Sequence, residues 1–229
     1  MDGPEQGPGE RQLRQAARAG DLDAASELGL LLAERGDWEA EGWLRQAAQR
    51  GHVNAAGNLG VVLLQRGAQA EAEHWLRMSA TAGNPDAARN LGTLLASRGG
   101  GPEAERWLRQ AAEAGQMGAA VNLGILLMQR GEADGAEHWL RAGAASGAPV
   151  PMYDLAMFLL GRGGDERAAE AHALLERASR AVPHAATALG AIAERAGDLT
   201  TATTWYRRAA EAGDEQAAAS LSRLGQPEG

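Results

Sequence analysis

Between residues 85 and 98 the apolar side chains Ala87, Leu91, Leu94 and Leu95 return at steps of three and four, the spacing that gathers side chains on one face of an α-helix. The phrase recurs along the chain. Leu-Gly stands at Leu28-Gly29, Leu59-Gly60, Leu91-Gly92, Leu123-Gly124 and Leu189-Gly190, with Leu155-Ala156 in the remaining place, at intervals of 31, 32, 32, 32 and 34 residues. A second phrase, Trp-Leu-Arg, keeps the same time at Trp43, Trp75, Trp107 and Trp139. Glycines separate the two phrases: Gly36, Gly67, Gly99, Gly131, Gly163 and Gly197 on one side, Gly51, Gly83, Gly115, Gly147 and Gly213 on the other.

The pattern predicts a repeated helix, turn, helix, turn. The first helices (A) fall near residues 22–35, 53–66, 85–98, 117–130, 150–162 and 183–196, and the second (B) near 37–50, 69–82, 102–114, 133–146, 165–181 and 199–212. Pro85, Pro102, Pro149 or Pro151, and Pro183 all fall at helix starts, where a missing N–H is harmless. Half units at 10–19 and 214–224 repeat a B and an A phrase and serve as caps, which a repeat array needs for solubility.

One such unit cannot bury its own apolar face, so like units must stack. The expected fold is an all-α, right-handed α-solenoid of antiparallel helix hairpins over residues 10–224, with a disordered tail at 1–9 and a short tail at 225–229. Aromatic residues make up only 4% of the chain, so the interior is expected to be knit from Ala and Leu, with the tryptophans in the core or at its shoulder. Trp38 falls in a turn.

Composition then narrows the function. A net charge of −8 argues against nucleic acid and anionic membrane as partners, since both ask for a basic footprint. Every cation besides histidine is arginine, as a GC-rich bacterial genome would give, and the absence of lysine removes Schiff-base and Walker-type chemistry. With no cysteine, disulfides and thiolate chemistry are excluded. MDGPEQGPG at the start lacks the basic and apolar runs of a signal peptide, no apolar stretch reaches membrane-span length, and a cytoplasmic location is the expectation.

The unit A-x-x-L-G-x-L-L-x-x-x-G-x-x-x-x-A-E-x-W-L-R-x-A-A-x-x-G, read from Ala88 to Gly115, resembles the tetratricopeptide family and its Sel-one-like relatives. Leu91, Gly92, Leu95, Ala104, Leu108 and Ala111 match tetratricopeptide positions in order. The linker Ala111, Ala112, Gly115, Ala119 is similar to the Sel-one-like form, and the 32-residue period is shorter than either family normally uses. The resemblance covers residues 10 to 224 and implies a non-enzymatic scaffold for a protein or peptide partner.

Several columns invite a chemical reading. Glu41/Arg45, Glu73/Arg77, Glu105/Arg109 and Glu137/Arg141 are spaced i, i+4 on B helices, where such pairs support a solvated helix face. Arg35, Arg66, Arg98, Arg130 and Arg162 precede turn glycines, where a cation suits the carbonyl end of a helix. His74 and His138 lie two repeats apart, too far to share a metal, and no catalytic or cofactor-binding motif is present. No cofactor, metal site or enzyme activity is expected.

Asn58, Asn90 and Asn122 immediately precede Leu-Gly, with Asp154 in the fourth place. Asparagine has poor helix propensity, so three at one phase ask for a reason. The resemblance implies that asparagines at this phase face a concave groove and hold the backbone of an extended peptide. A ladder bonding neighbouring helices is the structural alternative. Of the family's carboxylate clamp the lysines have no counterpart, and only Arg89 offers a cation nearby.

The predicted groove changes along its length, from Val61, Gln65, Arg89, Thr93 and Ser97 to Val121, Ile125, Met128, Gln129, Tyr153, Met157 and Leu160. The candidate partner-binding residues are therefore Asn58, Arg89, Asn90, Asn122, Ile125, Met128, Tyr153, Asp154 and Met157. Repeat five breaks the pattern: it lacks tryptophan, has Leu-Ala for Leu-Gly, holds the only phenylalanine, Phe158, and turns through Gly161, Gly163 and Gly164. The reading is a scaffold or adaptor that takes a peptide or partner helix in its groove. A homo-oligomeric assembly protein joined through its terminal repeats is the alternative, and an enzyme or small-molecule sensor the third.

Overall fold

A computed structural model describes residues 8–225 of the chain. Fourteen α-helices and no strands occur among the described residues. The chain divides into two compact units, one ending at Ala119 and the other beginning at Ala120. The first holds α1 (Pro8–Arg18), α2 (Leu22–Glu34), α3 (Glu39–Gln49), α4 (Val53–Gln65), α5 (Gln69–Thr81), α6 (Pro85–Ser97) and α7 (Gly101–Glu113). The second holds most of α8 (Met117–Gln129), then α9 (Ala133–Ala144), α10 (Pro149–Arg162), α11 (Asp165–Ala178), α12 (Pro183–Arg195), α13 (Leu199–Glu211) and α14 (Glu215–Leu224).

These are the A and B helices that the repeated phrases predict, as an all-α solenoid requires. The expected tails fall almost wholly outside the described residues. Pro8 and Gly9, assigned above to the N-terminal tail, instead open α1.

Local chemistry sets the helix ends. Asp21, His52, Asn84 and Asp214 stand at equivalent N-caps, and each side chain accepts the N–H three residues on, from Ala24, Ala55, Ala87 and Ala217, at 2.9 to 3.1 Å. Such caps satisfy donors that the first turn leaves open. Helix α5 ends as Gly83 takes φ +94°, which only glycine adopts freely. Its N–H reaches Ala80 O at 3.0 Å while that of Asn84 reaches Ser79 O at 3.1 Å, a Schellman closure.

Packing rests on one contact repeated. A Cβ built on Gly29, Gly60, Gly92 or Gly124 would fall 2.5 to 2.7 Å from Cγ of Leu44, Leu76, Leu108 or Leu140. Glycine thus opens each A helix to the leucine of its own hairpin, and these leucines are fully buried. At Gly190 the same place is filled by the ring of Tyr206, which would lie 2.7 Å from a Cβ there. Ala47, Ala72, Ala104 and Ala111 are also fully buried, letting helices approach closely. Ser79 replaces an alanine of this column, and its hydroxyl donates to Val53 O at 2.8 Å.

The tryptophans divide by exposure. Trp75 and Trp107 are buried, Trp43 and Trp139 half-buried, and Trp38, the N-cap of α3, is 76% exposed. His74 and His138 pack edge-on against Trp75 and Trp139 at 5.1 Å between ring centroids, and Arg106 lies over Trp107 at 4.7 Å. These side chains cover part of each indole.

Repeat five keeps the packing despite its sequence. Sixteen positions separate Leu155 from Ala171, against thirteen from Leu91 to Ala104, and the extra residues lengthen α10, its turn and the start of α11. Gly163 and Gly164, with φ of +69° and +96°, carry that turn. Beyond it Ala171, Leu175 and Ala178 are fully buried in the register of Ala104, Leu108 and Ala111, so Leu174 stands where other repeats have tryptophan.

Candidate partner-binding face

Within the first unit, α2 packs on α4 and α4 on α6, while the B helices α3, α5 and α7 make no comparable contact with one another. Stacked hairpins whose A helices lie closer than their B helices curve towards the A side, so the A helices line the inner face there. The side chains they leave to solvent follow one stripe: Asn58, Val61 and Gln65 on α4, then Asn90, Thr93 and Ser97 on α6.

Asn58 and Asn90 are half-buried, and neither amide makes a hydrogen bond to another described residue. The alternative of a ladder between neighbouring helices is therefore not realised by these two. An inter-repeat amide bond does form elsewhere, where Asn84 Nδ2 donates to Asn54 Oδ1 at 3.0 Å. Arg89 is half-buried beside Asn90. Its stem passes Gly118, where a Cβ would lie 3.6 Å from Arg89 Cδ.

In the second unit the corresponding stripe is Asn122, Ile125 and Gln129 on α8, then Asp154, Met157 and Gly161 on α10. Asn122 is half-buried and already engaged within the protein. Ile125, Met128 and Met157, expected in the groove of repeats four and five, line one cleft of about 490 Å³ together with Asp154 of the asparagine column. Phe158, Leu140, Gly161 and Arg162 complete it. Met128 is 44% and Met157 41% exposed, and their flexible thioethers can adapt to an incoming side chain.

One groove assignment needs correction. Val121 is buried, 7% exposed, because it turns into the core beside Ala119 and Ala120. Tyr153 is half-buried next to Asp154, outside the lining of this cleft. Burial raises the Tyr153 hydroxyl above its usual pKa, helped by the charges of Asp154 and Asp214.

Asp154 carries an uncompensated charge on this face. Its carboxyl is half-buried with no hydrogen bond or ion pair to a described residue, and burial pushes its pKa above the ordinary aspartate value. Arg162, in the same cleft, is directed elsewhere, to Asp134 at 3.2 Å and Glu137 at 4.0 Å.

The opposite flank carries charge that is paired between repeats. Glu73 receives Arg77 of its own helix at 2.8 Å and Arg98 of the next A helix at 2.8 Å, while Arg77 also reaches Glu103 of the next B helix. Glu41 likewise receives Arg45 and Arg66, and Arg45 continues to Glu71. At the first helix Glu10 takes Arg14 and Arg35 at 3.0 and 2.7 Å, and Arg14 goes on to Glu39 at 2.6 Å. In the second unit Glu137, Arg141 and Glu170 repeat the relay.

Three of the i, i+4 pairs expected to decorate a solvated face, Glu41/Arg45, Glu73/Arg77 and Glu137/Arg141, thus join successive repeats, and Arg35, Arg66, Arg98 and Arg162, which precede turn glycines, also reach acids of the preceding repeat. Sequence reasoning missed these links because their partners stand 25 to 29 residues away. The arginine bonds hold Glu10, Glu103 and Glu170 below the usual carboxylate range.

Among the described residues no three His, Asp or Glu side chains gather as metal ligands, and no helix is long and apolar enough to cross a membrane.

Comparison with known proteins agrees with this architecture. Tetratricopeptide repeat profiles match residues 86–116 and 153–218. No curated protein matches the sequence. Among solved structures, PilF of Pseudomonas aeruginosa superposes with a TM-score of 0.73 at 17% identity, covering 94% of this chain and 99% of that one. A Sel1 repeat protein of Oxalobacter formigenes gives 0.65 at 24% identity, covering 89% and 99%. YrrB, a tetratricopeptide protein with an unusual peptide-binding site, gives 0.55 at 20% identity, covering 74% and 91%. With its two phrases, its glycine-to-leucine hairpins and these matches, the chain carries tetratricopeptide-like repeats over the matched segments and shares the fold of tetratricopeptide and Sel1 repeat proteins.

Proposed function

We propose that the chain is a protein-interaction scaffold whose A-helix face receives an extended peptide or a partner helix. The observation that carries this reading is the state of Asn58 and Asn90: two amides at the same phase of successive helices, on the inner face, without hydrogen bonds to other described residues. Each amide offers a donor and an acceptor, the pair of groups needed to hold peptide C=O and N–H. In the second unit the cleft of Ile125, Met128 and Met157 would receive apolar side chains. YrrB, of similar fold, has a peptide-binding site of its own, which supports the reading at the level of the fold.

The test is capture of partners on the immobilised full chain. A specific partner retained by the wild type and lost by Asn58→Ala combined with Asn90→Ala supports the groove. A partner retained undiminished by the double variant overturns it. Light scattering that shows a concentration-dependent oligomer, abolished by trimming the terminal helices, would instead favour self-assembly.

A further inference from the structure

Asp154 occupies the place that asparagine holds in the three preceding A helices. The change from amide to carboxylate leaves the shape almost unaltered and adds a charge. That charge lies in a cleft whose other walls are mostly apolar, Met128, Met157, Ile125, Leu140 and Phe158, with Arg162 as its one cation. A half-buried carboxylate without a partner is unfavourable by itself, and Arg162, the cation in the same cleft, pairs with Asp134 and Glu137 instead. The Arg162 guanidinium also lies 6.0 Å from the Phe158 ring centroid.

We infer that the second unit's cleft selects a peptide segment carrying a basic side chain between apolar ones, with the cation seated on Asp154 and the apolar neighbours on Met128, Met157 and Ile125. The inference rests on the scaffold reading and adds the chemistry of the partner. Charge complementarity chooses the occupant: a cation supplies what the carboxylate lacks, an acidic segment would meet it and the chain's net charge of −8 with repulsion, and a purely apolar one would leave it buried and unpaired. The long aliphatic stem of lysine or arginine also suits an entrance walled by methionine.

The experiment uses the full chain with ε-methyl-labelled methionine and three end-capped peptides, identical except for a centre of Leu-Lys-Leu, Leu-norleucine-Leu or Leu-Glu-Leu. The lysine peptide is expected to bind about tenfold more tightly than the norleucine peptide, the effect of one charge-assisted hydrogen bond, and the glutamate peptide most weakly. Its addition should shift the methyl resonances of Met128 and Met157 and leave those of Met78 and Met117 in place. Asp154→Asn, which restores the residue type of the preceding repeats, should keep the fold and remove the lysine preference. Equal binding of lysine and norleucine peptides, or a preference that survives Asp154→Asn, overturns the basic selectivity while the groove reading stands. If no peptide moves the methyls of Met128 and Met157, the cleft is not a docking site, and its part in the groove reading falls as well.

Discussion

Gly92 and Leu108 compete for one space: a Cβ on the glycine would lie 2.7 Å from the leucine's Cγ and 3.0 Å from its backbone nitrogen. Alanine is worth up to about 1 kcal/mol over glycine in an open helix, but here the added methyl must push two helices apart. Gly92→Ala is therefore expected to destabilise the protein by about 1 to 3 kcal/mol, the usual cost of overpacking. Gly42 is the control, since a Cβ there meets nothing within 4 Å, and Gly42→Ala should stabilise. Urea unfolding of both variants reads the opposite signs.

Glu73 is the acceptor for both Arg77 and Arg98. Because all three side chains are partly exposed, Glu73→Gln is expected to cost only about 0.5 to 1 kcal/mol. The loss should shrink in 1 M salt, where screening extends over about 3 Å. Melting curves of wild type and variant at low and high salt would show the convergence.

Asp154 provides a pH test. Burial raises its folded pKa, so protonation stabilises the fold; that contribution is complete below the unfolded value of about 3.9 and disappears as pH rises through the folded value. Asp154→Asn should thus be more stable than the wild type at neutral pH, with the difference vanishing as the solution is acidified. Denaturant midpoints across the acid range measure it. A wild type more stable than the variant at pH 7 would reveal an internal partner for the carboxylate.

The arginine-held carboxylates have the reverse sign. Their folded pKa values lie below the unfolded ones, so their contribution is present above about pH 4.3 and is lost as pH falls through the folded values. Glu10→Gln should therefore flatten part of the acid-unfolding transition of the wild type, as followed by circular dichroism.

Asp214 fastens the last helix. Its buried carboxylate accepts the Thr187 hydroxyl at 2.7 Å, the Ala217 N–H at 3.1 Å and a bond with His184 Nδ1 at 2.6 Å. Burial raises its pKa, but these three bonds together leave it lowered. Asp214→Ala is expected to cost about 2 kcal/mol for the lost cap and an orphaned hydroxyl. The loss should show first as faster hydrogen exchange in α14.

The helices were legible because local chemistry writes them: phrase, glycine and cap recur within one period, and the observed ends lie within a few residues of those predicted. The glycine of Leu-Gly was legible as a point of close approach, although the side chain it admits, Leu108 in the third repeat, is identified only by the hairpin's geometry. Pairings that depend on stacking were not legible. Arg98 to Glu73 crosses 25 residues, and nothing in the spacing alone selects Glu73 over any other acid. The candidate cleft lay between. Ile125, Met128, Asp154 and Met157 of its lining follow from helix phase, but phase alone did not separate Val121, which turns inward, from Ile125, which does not. That no described residue pairs with Asp154 could be known only once Arg162 was seen to be engaged elsewhere.

The relay of Glu73, Arg77, Arg98 and Glu103 also bears on how such an array changes length. The hairpin of α4 and α5 offers both an acceptor and a donor to each neighbour, Glu71 and Arg66 towards the preceding one and Glu73 and Arg77 towards the next. A segment copied in frame at the 32-residue period would arrive with plug and socket already matched, so duplication would lengthen the array without new contacts having to evolve. A copy cut half a period out of step would bring Gly57, Arg89 or Val121 to the place of Glu41, Glu73 or Glu105 and leave the arginines without these acceptors, so electrostatic pairing acts as a reading frame at the level of protein structure.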